Sequence, residues 1–264
     1  MSRALIVNDD GIDSPGLALL ARIAVDAGLE VTVAAPHVER SGASASLTAL
    51  EDNGRLLLSR RPLDGLDGIE SYAVEASPAL ITFLASYGAF GEVPDIVLSG
   101  INLGPNTGHA ILHSGTVGAA LTAASHGARA AALSLNGTAP SQWETAETVA
   151  RRAVAWALDH GEPGTVLNVN IPDIPPHELR GLRGAPLAEF GAVQAEIGEI
   201  ERDGDIGRAV PVTFRTVELD ESRDSDAVLV CRGWATATIL TMPFEVAGSD
   251  LGGLEFERAA DREA

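Results

Sequence analysis

Short apolar runs separated by amphipathic stretches set the rhythm of this chain. Residues 4–7, 31–35, 95–99, 130–135 and 166–171 show little polar alternation, a pattern that suits strands buried on both faces of a parallel sheet. Helical spacing fills the gaps between them. In residues 17–27 the apolar positions are Leu17, Leu19, Leu20, Ile23 and Ala24, with Pro15 suited to the first turn and Gly28 to the stop. A second helix is expected from Ser77 and Pro78 to about Tyr87, with Ser77 as its cap. A small-residue helix follows Ser114 and ends near Gly127, and residues 145–158 place Val149, Ala153, Val154 and Ala157 on one face with Arg151 and Arg152 off it. Strand, helix and strand in this order read as parallel crossover units of an α/β fold.

Two stretches depart from that rhythm. Residues 56–74 mix alternation with a turn-rich segment at 64–68 and read as an antiparallel excursion. Beyond about Gly181, acidic clusters and turns surround shorter apolar runs at 210–214, 227–231 and 234–240, all read as strands. Residues 181–241 are therefore expected to form an antiparallel extension used for oligomer contacts, since its exposed edges would otherwise invite unwanted pairing. Residues 242–264 read as a partly ordered charged tail. The expected organisation is one domain over 1–264, with an α/β core at about 1–180 and the arm and tail at about 181–264.

Composition narrows the function classes. The 264 residues can bury a substantial core without staples. A single cysteine, Cys231, cannot form an internal disulfide, and no charged segment with an apolar stretch behind it opens the sequence, so a cytoplasmic location is expected. No apolar run approaches the roughly 20 residues that span a bilayer, which leaves no membrane role. The formal charge is −19 and all 18 basic residues are Arg. Duplex nucleic acid is thereby excluded as a partner, because its binding needs a basic face. Handling an anionic phosphate would instead require a local cation.

Candidate chemistry gathers at strand ends. The first strand runs into Asn8, Asp9, Asp10 and Gly11, and ligands of open α/β sheets bind outside the carboxyl ends of strands. Paired carboxylates beside an amide are hard oxygen donors suited to Mg²⁺, Mn²⁺ or Ca²⁺, although the same tetrapeptide also makes an ordinary turn. Three further loops approach that edge: the polar residues 40–46, the Gly- and Asn-rich residues 100–108, and residues 113–118. Ser41 and Asn102 could complete an oxygen shell with Asp9 and Asp10, leaving room for water and a substrate oxygen. Ser114, Gly115 and Thr116 at a helix start could cradle an anion or simply cap the helix.

These stretches resemble the SurE (survival protein E) nucleotidase family. The matching blocks are IVNDDGIDSPGL at 6–17, AAPHVERSGASASLT at 34–48, PDIVLSGINLGPNTG at 94–108, SGTVGAA at 114–120 and LNVNIP at 167–172. SDAVLVCRGWATATIL at 225–240 is similar to the family's closing hairpin segment. The resemblance implies a Rossmann-like, mostly parallel sheet with helices on both faces and a C-terminal antiparallel hairpin extension. It implies a metal-dependent phosphomonoesterase releasing phosphate from nucleoside 5′- and 3′-monophosphates. The family's metal ligands fall on Asp9, Asp10, Ser41 and Asn102, to hold one Mg²⁺ or Mn²⁺. Its phosphate-contacting positions fall on Asn106, Ser114, Gly115 and Thr116, with Asn8 beside them, and Asp9 joins the first four as catalytic. The ion would polarise the phosphoryl group and a bound water while Asn106 and the 114–116 turn hold the transferring oxygens. A serine nucleophile is disfavoured because no histidine is clearly paired with Ser114 or Ser41. A homodimer or homotetramer built through the arm is also implied.

The chain departs from the family pattern around the phosphate loop. Ala110 and His113 stand where an Asp and a Tyr are usual, Thr122 and Ala123 replace an acid and a glycine, and residues 77–80 read Ser-Pro-Ala-Leu, ending at Leu80, in place of Thr-Pro-x-Asp. His109 or His113 could serve as general acid to the leaving alkoxide, or both could be plain loop residues. Three functions stay open: the nucleotidase, a divergent phosphatase for another phosphorylated metabolite, and a non-catalytic nucleotide-binding relative.

Overall fold

A computed structural model describes residues 1–53, 55–137, 139–189, 193–197, 201–203, 207–209, 212–216 and 223–242. The N-terminal half supplies strands β1 (Arg3–Val7), β2 (Glu30–Pro36), β3 (Glu51–Asp52), β4 (Arg55–Leu56), β5 (Leu58–Arg60), β6 (Glu70–Val74) and β7 (Ile96–Leu103), with helices α1 (Pro15–Asp26) and α2 (Pro78–Ala85) between them. After a 3₁₀ turn at Gly108–His113 come α3 (Gly115–Ser125), β8 (Arg129–Leu135), α4 (Trp143–His160), β9 (Thr165–Ile171) and β10 (Leu182–Gly184). The chain continues with β11 (Val193–Ile197), β12 (Glu201–Asp203), β13 (Gly207–Ala209), β14 (Val212–Thr216), α5 (Asp226–Cys231) and β15 (Ala235–Thr241).

Among the described residues, nine strands form one sheet in the order β10-β15-β9-β8-β7-β1-β2-β6-β5. From β9 to β6 every pairing is parallel. The apolar runs therefore lie in a sheet covered on both sides, which is why they lack alternation. Ala4 and Ile6 face a layer built on α1 and α4, through Leu17, Leu20, Ile23, Val149 and Val154. Leu5 and Val7 face the other layer, built on α2 and α3, through Ile81, Val117 and Ala120. Each fully buried Leu, Ile or Val contributes about 1.5–3 kcal/mol relative to exposure.

The strand order sets the place of chemistry. From β1 the chain winds outward to β2 and β6, then returns to β7 on the other side of β1 and winds outward again to β8 and β9. The winding reverses between β1 and β7, where Val7 pairs with Ser99, and this switch point opens a crevice at the strands' carboxyl ends. Asp9 and Asp10 leave β1 at that point, and Asn102 lies near the end of β7.

Several expectations are corrected. Residues 227–231 form helix α5 rather than a strand; Ala227 to Val230 are all buried, and a fully buried apolar run carries no period that separates strand from helix. Residues 235–241 belong to the main sheet, antiparallel to β9 and parallel to β10, and not to the arm. The third long strand continues through Gly100 to Leu103 with a register shift between Ser99 and Asn102, where a loop was expected. Ser77 holds the N-cap position of α2 as expected, but its side chain makes no capping bond: its hydroxyl donates to the Ser46 carbonyl and accepts from the Thr48 amide, tying down the loop after β2. In the excursion, β5 pairs antiparallel with β6, but β6 itself joins β2 in parallel. Within the arm, antiparallel ladders join β11 to β14 and, nested inside them, β12 to β13. The strand expected at 210–214 occupies Val212–Thr216, and the tail beyond Met242 lies outside the described residues.

Candidate active site

Asn8 shapes the turn that presents the two acids. Its amide donates to the Gly11 carbonyl at 3.1 Å and its oxygen accepts from the Gly11 N–H at 3.2 Å. The oxygen and one amide proton of this fully buried side chain are thus engaged inside the turn, so Asn8 shapes the site.

Asp9 is almost completely buried. Its Oδ1 accepts from the Thr116 hydroxyl, and the backbone N–H groups of Gly115 and Thr116 face the same carboxylate. The start of α3 is therefore docked on Asp9, its unpaired amides and favourable dipole end turned to a negative charge. A Cβ on Gly115 would lie 2.7 Å from Asp9 Oδ2, so only glycine allows this approach. Gly118 has the same role a turn later, where a Cβ would sit 2.3 Å from the Ser44 carbonyl oxygen; the 41–46 loop thereby lies directly on α3. That loop is also fixed from β1, by the Arg40 N–H donating to the Asp9 carbonyl at 2.7 Å.

Asp10 accepts from the Leu103 N–H at 3.1 Å, a bond that joins the ends of β1 and β7. Burial, then the charge of Asp9, push the Asp10 carboxyl up to about 7. Burial also raises Asp9, against the donors from Thr116 and Gly115. Among the described residues no basic side chain forms an ion pair with either acid. Two adjacent carboxylates, one buried and one half-buried, without a counter-charge are a donor set for a cation.

The remaining candidates divide. The Asn102 oxygen lies 3.4 Å from the Thr116 hydroxyl that serves Asp9, so Asn102 is within the cluster, held by its amide on the Gly104 carbonyl at 2.8 Å. Ser41 is exposed and its hydroxyl donates to Glu39 at 2.6 Å, with no hydrogen bond to Asp9 or Asp10. Ser114 caps α3, accepting from the Val117 N–H at 3.0 Å; this leaves its O–H proton able to donate to an anion. Asn106 is turned inward: its amide donates to the Ser134 hydroxyl at 2.7 Å, its N–H to the Asn170 oxygen at 2.7 Å, and its carbonyl accepts from both Asn168 and Asn170. His109 and His113 are exposed on the 3₁₀ turn.

The donor types decide which metals fit. Among the described residues no group of three His, Cys, Asp or Glu side chains is assembled for a metal. The cluster offers instead two carboxylates, an amide oxygen and hydroxyls, a hard set for Mg²⁺ or Mn²⁺ that leaves coordination positions to water.

The family model described as "Survival protein SurE" matches residues 4–193. The chain belongs to the SurE family. It is 38% identical over 205 residues to the 5′-nucleotidase SurE of Coxiella burnetii (strain Dugway 5J108-111), covering 76% of this chain and 75% of that one. It is 42% identical over 194 residues to the 5′-nucleotidase SurE of Methylococcus capsulatus (strain ATCC 33009 / NCIMB 11132 / Bath), covering 73% of each. The crystal structure of the SurE protein from Aquifex aeolicus superposes with a TM-score of 0.75 at 29% identity, over 92% of this chain and 95% of that one.

In this SurE chain, sequence reasoning missed Glu39, the Asn168–Asn170 pair and Asp226. Two asparagines alternating in an otherwise apolar strand were the signal for the pair. Ser225 and Asp226 before an apolar run were the helix-start signal for the last. The raised Asp10 makes a prediction for the metal-free protein. An unfolded aspartate titrates near about 3.9, so between about pH 4 and 7 the native state holds the extra proton and stability falls as pH rises. With chelator present, the melting temperature of the wild type relative to Asp10→Asn should decline across that window and level off above it; a relative rise would contradict the Asp10 environment.

Proposed function

We propose that this protein is a metal-dependent phosphomonoesterase that hydrolyses nucleoside 5′- and 3′-monophosphates to nucleoside and phosphate. The observation that carries this reading is the pair of adjacent carboxylates at the switch point, Asp9 buried and docked on the N-terminus of α3 and Asp10 half-buried against the end of β7, uncompensated by any basic side chain among the described residues. Relatives named 5′-nucleotidase over three quarters of the chain support the substrate class.

Asp9, Asp10 and Asn102 would hold Mg²⁺ or Mn²⁺, with Ser41 joining them by turning from Glu39. When bound, such an ion supplies charge neutralisation and Lewis-acid polarisation to the phosphoryl group and to water. The chain's own residues do the positioning. Thr116 and the Gly115 N–H fix the orientation of Asp9, the Ser114 hydroxyl beside them can donate to a phosphoryl oxygen, and Asn106 has a second amide proton to offer beside the one on Ser134. Water is the attacking group in this scheme, since Ser114 is occupied as a helix cap. A homodimer or homotetramer joined through the arm, in the cytoplasm, completes the proposal; among the described residues no helix is long and apolar enough to cross a membrane.

A panel of nucleoside 5′- and 3′-monophosphates and sugar phosphates, assayed before and after EDTA and again with Mn²⁺ or Mg²⁺, tests it. Nucleotide turnover lost on chelation and restored by metal is expected; turnover that survives EDTA rules the reading out. The exposed turn carrying His109, Leu112 and His113 favours a second reading, a phosphatase for another phosphorylated metabolite, which predicts activity confined to the non-nucleotide esters.

A further inference from the structure

One carboxylate outside this reaction scheme lies under the loop that leads from Asn106 to Ser114. Asp226, the first residue of α5, is fully buried. Its Oδ2 accepts from the Gly108 N–H at 2.9 Å, and its Oδ1 accepts from the N–H groups of Ala188 at 2.8 Å and Ala227 at 2.7 Å. The three donors come from three regions of the chain: the loop after β7, the segment that enters the arm, and the helix that follows it. Burial pushes the Asp226 carboxyl up, while the three N–H bonds favour its charged form. A buried acid held this way costs stability unless every donor is matched, so its presence ties together whatever it bonds.

Gly108 stands between the two ends of the candidate phosphate loop. Two residues before it, Asn106 is anchored to β8 and β9 through Ser134, Asn168 and Asn170. Six residues after it, Ser114 caps α3 against Asp9. Asp226 thus holds the stretch that the strand network leaves unsupported.

We propose that Asp226 is a positioning residue for phosphate binding, its carboxylate tying the loop between Asn106 and Ser114 to both roots of the antiparallel arm. The proposal rests on the reading of that loop as the phosphate-holding segment. Two carboxylate oxygens serve three donors; an amide has only one oxygen. In Asp226→Asn the oxygen keeps the Ala188 and Ala227 N–H groups while the NH₂ confronts the Gly108 N–H, which releases the loop and leaves the arm roots held.

Wild type and Asp226→Asn are compared with a nucleoside monophosphate and Mn²⁺, and with inorganic phosphate as competing ligand. KM and the phosphate inhibition constant should both rise about tenfold or more, with the melting temperature changed by no more than about 5 °C and Mn²⁺ stoichiometry unchanged. A purely structural role lowers kcat through a smaller active fraction and leaves KM and the inhibition constant alone; that result, or wild-type behaviour, overturns the proposal. If phosphate fails to inhibit the wild type, the phosphate-loop reading itself falls, separately from any result on the variant. Should Asp226→Asn fail to fold, hydrogen exchange on the wild type decides: Mn²⁺ with phosphate should slow residues 104–113 and 224–232 together, and slowing confined to the loop overturns the link.

Discussion

Asp9→Asn should abolish phosphate release while leaving a folded protein. The amide keeps an oxygen to accept from the Thr116 hydroxyl and the volume is unchanged, so the chain still folds, with the Gly115 and Thr116 N–H contacts weakened. What is lost is the negative charge of the more buried of the two acids. Changes to groups one layer out from a metal cost about 10- to 100-fold, and loss of a direct anionic ligand should exceed that, with kcat/KM falling about 10³-fold or more. Steady-state phosphate release with a nucleoside monophosphate and Mn²⁺ measures it, alongside a melting curve. Turnover within about tenfold of wild type would remove Asp9 from the metal site.

Gly115→Ala is the second large effect, and it acts through geometry alone. The added methyl would meet Asp9 at 2.7 Å from Oδ2 and 2.8 Å from Cβ, and Asp9 has no room to withdraw in a buried turn. Overpacking of this kind costs about 1–3 kcal/mol, partly offset by up to about 1 kcal/mol from the better helix propensity of alanine. The net loss leaves the fold intact. The carboxylate or the start of α3 must shift by several tenths of an ångström, and such displacements at reacting centres cost about 10²-fold in rate. The expected result is a kcat/KM down about 10²-fold with weaker metal binding and a modest fall in melting temperature. Near-normal activity would show that α3 does not need to touch Asp9.

Much of this arrangement could be read from short stretches of sequence. The parallel strands were legible because burial on both faces removes alternation, and Asp9 and Asp10 because they follow the first such run. Asn102 and Thr116 stand out in stretches expected to be loops; the structure puts Asn102 in β7 and Thr116 in α3, with the Thr116 hydroxyl bonded to Asp9 and 3.4 Å from the Asn102 oxygen. The misread strand assignments share a cause in contacts made far along the chain. β15 pairs with β9 across more than 60 residues, and the local pattern of 234–240 is equally good for an arm strand or a sheet strand. Asn106 turns inward because Ser134, Asn168 and Asn170 meet it there, 28 to 64 residues away. Ser41 stands out by its place on the loop after β2, and its hydroxyl donates to Glu39, two residues before it. The strand expected at 227–231 became a helix because tertiary packing buries all its apolar residues, so the decision lay with Ser225 and Asp226 at its start.

On the proposed function the acids closing β1 anchor a divalent-cation site. Titration of chelator-stripped protein with Mn²⁺, followed by calorimetry or by the loss of free-ion paramagnetic signal, tests it without relying on activity. Saturation at one ion per chain is expected for the wild type, with no saturable binding in the same range for Asp9→Asn or Asp10→Asn. Equal binding by wild type and both variants would contradict it.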